Sequence, residues 1–118
     1  VTEFTSAADT VLSQFGREVE FTRSGEDPLD PFDAVVLDYG YGPTPPGWAG
    51  DPFFEGEAHH VEIKVRPADV GAEPTADDTF LFDGHECEIR TVHPIPPASS
   101  ETSWWVCRCV AGQRGTFR

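Results

Sequence analysis

At 118 residues the chain has room for one domain and no second. Its 21 Asp and Glu against 8 Lys and Arg leave a formal charge of -13. That balance argues against a free nucleic-acid binder or a partner for anionic membranes, both of which need clustered cations. Glycine and proline, 11 of each, with few strong helix formers, point to an all-β fold rich in connections.

The first element reads as a short helix over residues 1–16. Phe4, Ala8, Val11, Leu12 and Phe15 recur at helical spacing, Ser6 and Asp9 make a capping box, and Gly16 supplies the stop. Strand signals follow. Residues 17–22 alternate, with Val19 and Phe21 on one face and Glu18 and Glu20 on the other. After a turn rich in Gly, Asp and Pro, residues 32–38 are apolar on both faces, as a central or interface strand would be. Residues 59–66 place Val61, Ile63 and Val65 inward and His60, Glu62, Lys64 and Arg66 outward.

An acidic connection leads to the short apolar run Phe80-Leu81-Phe82. Asp83-Gly84 then predicts a two-residue hairpin, because both residues tolerate positive φ. Residues 86–92 return with Cys87, Ile89 and Val92; the slipped spacing between Ile89 and Val92 marks a bulge. Residues 103–110 form the last strand, with Trp105, Cys107 and Cys109 on one face and Trp104, Val106 and Arg108 on the other. The expected fold is a single all-β domain spanning 1–118. It is a small β-barrel or sandwich of about six strands with a short N-terminal helix and one long loop.

That loop is residues 39–57. It combines Gly and Pro with five aromatics: Tyr39, Tyr41, Trp48, Phe53 and Phe54. A linker would be polar, so aromatic rings here read as a surface that docks on a partner and orders on assembly. The bland alternative is that the rings fold back over the barrel. Charge is also uneven. Every acid falls within residues 1–101, whereas the last seventeen residues carry Arg108, Arg114 and Arg118 and no acid. The C-terminal arginines are therefore expected to meet an acidic surface of a neighbouring copy.

Catalytic signatures are missing from the sequence pattern. There is no Gly-x-Ser-x-Gly, no phosphate loop and no dinucleotide fingerprint, so the chain does not read as an enzyme. Cys87, Cys107 and Cys109 invite a thiolate cluster. Structural zinc sites, however, use Cys pairs spaced two to four apart on turns, and mid-strand thiols read as core residues. His59 and His60 point to opposite faces of a strand and do not readily chelate one ion. No metal or cofactor is expected. The odd number of cysteines and the lack of a signal segment read as reduced thiols, and no apolar run approaches the length of a membrane span.

The order of features carries a resemblance. Phe15-Gly16-Arg17 ends the leading helix; a strand, a long loop and a strand pair follow. Then comes Thr75-Ala76-Asp77-Asp78-Thr79-Phe80-Leu81-Phe82-Asp83-Gly84-His85-Glu86-Cys87-Glu88-Ile89-Arg90-Thr91-Val92. This resembles the head–tail joining proteins of tailed bacteriophages, the small neck or stopper proteins similar to the lambda attachment protein. Cys87 stands where that family usually has an aromatic. The resemblance implies a structural virion protein, made in the host cytoplasm, that assembles with itself into a ring at the neck. Its partners would be a portal or adaptor protein on one side and a tail terminator or tail tube protein on the other. DNA would pass through the ring without sequence-specific binding. Two rivals remain: a small cytosolic β-barrel that binds a ligand or metal through Cys87, Cys107 and Cys109, and a cellular adaptor domain with no viral link.

Overall fold

A computed structural model of the chain describes residues 16–48, 57–95 and 104–112. The described strands are β1 (Gly16–Thr22), β2 (Phe32–Gly42), β3 (Ala58–Val65), β4 (Thr79–Phe82), β5 (His85–Ile95) and β6 (Trp104–Ala111). One helical turn, α1 (Pro67–Val70), follows β3. All neighbouring strands are antiparallel and close in the order β1-β2-β3-β6-β5-β4. The fold is thus a closed barrel and not a sandwich. β1 closes it by dividing its pairing: Gly16–Val19 pair with β2, and Glu20–Thr22 pair with β4.

Period-two alternation explains the interior. Val19 and Phe21, Ala34 and Val36, Val61, Ile63 and Val65, Phe80 and Phe82, and Cys107 and Cys109 all point inward and are buried. Phe21 and Phe80 meet across the β1–β4 seam with ring centroids 5.0 Å apart, which places two large aromatics where the barrel closes. Burying each such ring contributes about 1.5–3 kcal/mol. On β5 the alternation slips at Arg90: Ile89 pairs with Cys109, and Thr91 pairs with Arg108. This bulge lets both Ile89 and Val92 face the core, as their spacing requires. The β4–β5 hairpin turns through Asp83 (φ 51°) and Gly84 (φ 80°), the pair of left-handed residues that a tight two-residue turn needs.

One end of the barrel is tied by Arg23, just beyond β1. Its guanidinium donates to the carbonyls of Val70 (2.9 Å), Ala72 (2.8 Å) and Glu73 (3.3 Å) and to Asp78 Oδ2 (3.3 Å). Asp78 is 1% exposed and also accepts the backbone N–H groups of Ser24 (2.9 Å) and Thr75 (2.8 Å). The acidic connection after β3 is therefore held by a charge-assisted network that satisfies its buried carboxylate. Val70 of α1 closes onto the core beside it.

Two sequence expectations change here. The expected N-terminal helix covers residues 1–16. Residues 1–15 lie outside the described residues, and Gly16, expected to stop the helix, is instead the first residue of β1, opposite Val35. The expected loop at 39–57 starts too early: Tyr39–Gly42 continue β2, with Tyr41 opposite His59 and Gly42 opposite Ala58. Glycine is a poor strand former, but β3 supplies backbone partners on both sides of Tyr39, and that tertiary pairing outweighs local propensity.

Candidate interface

Beyond Val35, β2 runs past the described part of β1. Among the described residues, Val36–Gly42 are paired on one side only, by β3. Along this rib the pairing shifts between Asp38 and Gly40, leaving Tyr39 as the extra residue. Gly40 takes φ 71°, a left-handed conformation that side chains other than glycine adopt only with strain. Asp38 fixes the kink: its Oδ1 accepts the Gly40 N–H at 2.9 Å and the His59 Nε2–H at 2.7 Å. Burial alone would push the Asp38 carboxyl up, but those hydrogen bonds outweigh it and hold the group below its ordinary value.

His59 continues the network across the mouth of the barrel. Its ring meets His85 edge-on, with centroids 4.9 Å apart, and His85 Nδ1–H donates to the Gly112 carbonyl at 2.8 Å. Asp38, His59 and His85 thus join β2, β3 and β5 at one rim. Arg17 adds a fourth polar group there, with its guanidinium 4.5 Å from the Phe82 ring centroid. Among the described residues neither His59 nor His85 hydrogen-bonds a hydroxyl or thiol, and the acid–histidine pair orients side chains at the rim.

A second cluster sits on the outer face of β3 and β6. The turn after β2, closed by Trp48 N–H to the Pro45 carbonyl at 3.1 Å, brings Trp48 back onto the barrel wall. Its ring lies edge-on to Tyr39 (5.5 Å) and to His60 (5.5 Å), and the Arg108 guanidinium stands 5.4 Å from its centroid. Arg108 also faces Glu62 at 3.7 Å. As a result the outward-facing His60 and Glu62 are 1% and 8% exposed, where alternation alone predicts solvent. Burial pushes the His60 ring below its ordinary value, which keeps it neutral near pH 7.

The sequence-predicted contact residues therefore divide. Tyr39 and Tyr41 are exposed on the rib, at 47% and 72%, with Leu37 at 43%. Trp48 is 2% exposed: its own chain covers it, so it is not the presented anchor expected of a docking loop. The turn at Gly47 (φ 90°) brings the ring back onto the outer face of β3 and β6, against His60 and Arg108. Arg108, expected at a partner contact, is occupied by Trp48 and Glu62 of its own chain. Phe53, Phe54, Arg114 and Arg118 lie outside the described residues. The sequence pattern missed the Asp38–His59–His85 rim. Asp-x-Gly at 38–40 was its only local signal, an Asx-type turn waiting for a partner strand.

The three thiols are free and buried in the barrel core, on β5 and β6. Burial pushes Cys87 and Cys107 up to about 12 and the Cys109 thiol well above its ordinary value, so all three are protonated at neutral pH. No protein-family model matches this sequence, and no curated protein matches it.

Proposed function

We propose that this chain is a structural protomer of a tailed-phage neck, joining head to tail by assembling with copies of itself and with neighbours above and below. The single observation that carries the assembly role is the β2 rib. Among the described residues Val36–Gly42 form a strand edge without a second partner strand, bearing the exposed Leu37, Tyr39 and Tyr41; such an edge is a template for association, and proteins that work alone normally blunt or cover it. The rib is stiffened by the Asp38 network, so its side chains are presented without much ordering cost. The neck assignment rests further on the order of elements, in which the acidic turn, the Asp83-Gly84 hairpin and the bulged β5 follow one another as in that family.

The test is genetic and visual. Deleting the gene in frame from the phage or prophage that carries it should yield DNA-filled heads and free tails that do not join, seen by electron microscopy. Normally joined particles would refute the neck role. Purified protein should also sediment as ring-sized species at high concentration, and Tyr41→Asp should weaken that association while leaving the melting temperature unchanged.

A further inference from the structure

His59 and His85 meet at the barrel rim although β6 lies between their strands. The register explains the contact. His59 and Cys87 both stand opposite Ala111, and His85 shares the inward face of Cys87 two residues earlier. Between the two rings β6 offers only the methyl group of Ala111 and then Gly112, so two imidazoles fit side by side. Each ring spends one nitrogen on an oxygen that fixes its orientation. His59 Nε2–H donates to Asp38 Oδ1 at 2.7 Å, and His85 Nδ1–H donates to the Gly112 carbonyl at 2.8 Å. Among the described residues this leaves His59 Nδ1 and His85 Nε2 uncommitted, each as an acceptor lone pair. An imidazole tied to a carboxylate or a backbone carbonyl through one nitrogen is the usual state of a metal-binding histidine, whose other nitrogen is the ligand. Spacing agrees. An ion bonded at about 2.0–2.1 Å to one nitrogen of each ring, at a tetrahedral or right angle, sets the ring centres roughly 4.5–5.3 Å apart. They stand 4.9 Å apart. Solvent reaches the place, since the His59 side chain is 20% exposed and that of Asp38 33%.

We infer that His59 and His85 form a binding site for a divalent transition-metal ion of the Zn²⁺ or Ni²⁺ class, with Asp38 and the Gly112 carbonyl orienting the two rings. Imidazole nitrogen favours such ions over Ca²⁺ and Mg²⁺, which take oxygen ligands. No group of three His, Cys, Asp or Glu side chains suited to a metal occurs among the described residues, so the protein supplies two ligands and water fills the other positions. The bound ion ties β3 to β5 across the end of β6. This site is separate from the buried thiols, and it stands whether or not the chain assembles with itself. Along the sequence His59 is naturally weighed with His60, on the opposite face of β3; the fold pairs it with His85 instead.

Isothermal titration of the untagged full chain with ZnCl₂, beside CaCl₂, tests the site. Zn²⁺ should bind one per chain, and Ca²⁺ at least about tenfold more weakly. His59→Gln and His85→Gln should each weaken Zn²⁺ binding at least about tenfold, and Asp38→Asn should weaken it about tenfold by releasing the His59 ring. His93→Gln, at an exposed position, should leave it unchanged. Thermal melts without metal check that each variant folds. In wild type, Zn²⁺ at about a hundred times its Kd should raise the melting temperature by roughly 10 °C. Proton NMR of wild type gives an answer that needs no variant: the ring resonances of His59 and His85 should move on adding Zn²⁺ while those of His93 stay in place. Absence of Zn²⁺ binding, equal binding of Ca²⁺ through the acidic surface, or Zn²⁺ binding that survives the loss of both histidines would overturn the site. So would NMR shifts confined to His93.

Discussion

Replacing Trp48 with alanine removes the lid of the outer cluster, and the structure sets the cost. A buried indole hides roughly 150–250 Å² of surface, and at about 25 cal/mol per Å² that is about 4–6 kcal/mol as an upper bound. The site is a surface step and not the barrel interior, so the turn at 43–48 can settle partly into the gap. Measured Trp→Ala losses in cores run about 3–5 kcal/mol, and the low end applies here, about 3 kcal/mol. Part of this is the lost contact between the Arg108 guanidinium and the ring, for which Glu62 at 3.7 Å compensates only partly. For a domain of this size an unfolding entropy near 2.1 cal/mol/K per residue converts that loss into a melting shift of about 12 °C. Far-UV circular dichroism is the assay, since Trp104 and Trp105 would confuse fluorescence. Trp48→Phe should recover more than half the loss. A melting temperature within about 2 °C of wild type for Trp48→Ala would show that the ring contributes no packing and would revive the presented-anchor reading.

Three further outcomes follow from the geometry. Arg23→Ala should cost about 2–3 kcal/mol in urea unfolding, below the range for fully buried pairs because Arg23 is 22% exposed, yet substantial because Asp78 stays buried without its cation; a loss under about 0.5 kcal/mol would contradict the network. The three thiols should react with a disulfide reagent only at the rate of global opening, with a burst on adding denaturant; rapid labelling of any one in the folded protein would argue against the closed barrel. His60, pushed down by burial, takes up its proton in the unfolded chain first, so stability should decline as pH falls below 6.5 and level off below the folded value. Asp38, held below 3.8, adds stability that is lost only as pH falls through that lower range. Urea midpoints from pH 7.5 downward should show the first decline in wild type and a flatter profile in His60→Gln; identical profiles would dissociate His60 from it.

Local chemistry was enough to write most of the barrel. Alternation marked the buried faces of β1, β3 and β6, because side chains on a strand must point to opposite sides. Asp83-Gly84 announced its hairpin, because few other pairs adopt two successive positive φ values. The Ile89–Val92 spacing gave away the bulge at Arg90, because two inward residues three apart require an extra one between them.

Only the tertiary structure decided how these strands were used. Whether β1 met β4 to close the wall depended on twist and stagger summed over the whole sheet, which no short window contains. The rib at Tyr39–Gly42 read as loop because Gly and Pro dominate locally; the backbone of β3 overrode that composition. Trp48, His60, Glu62 and Arg108 came together from three separated segments, so no spacing rule could foresee that two outward-facing polar residues would be buried. Alternation tells which side of the wall a residue faces. What covers that side is set by long-range packing, and here the covering residue was the aromatic that the sequence pattern assigned to a partner.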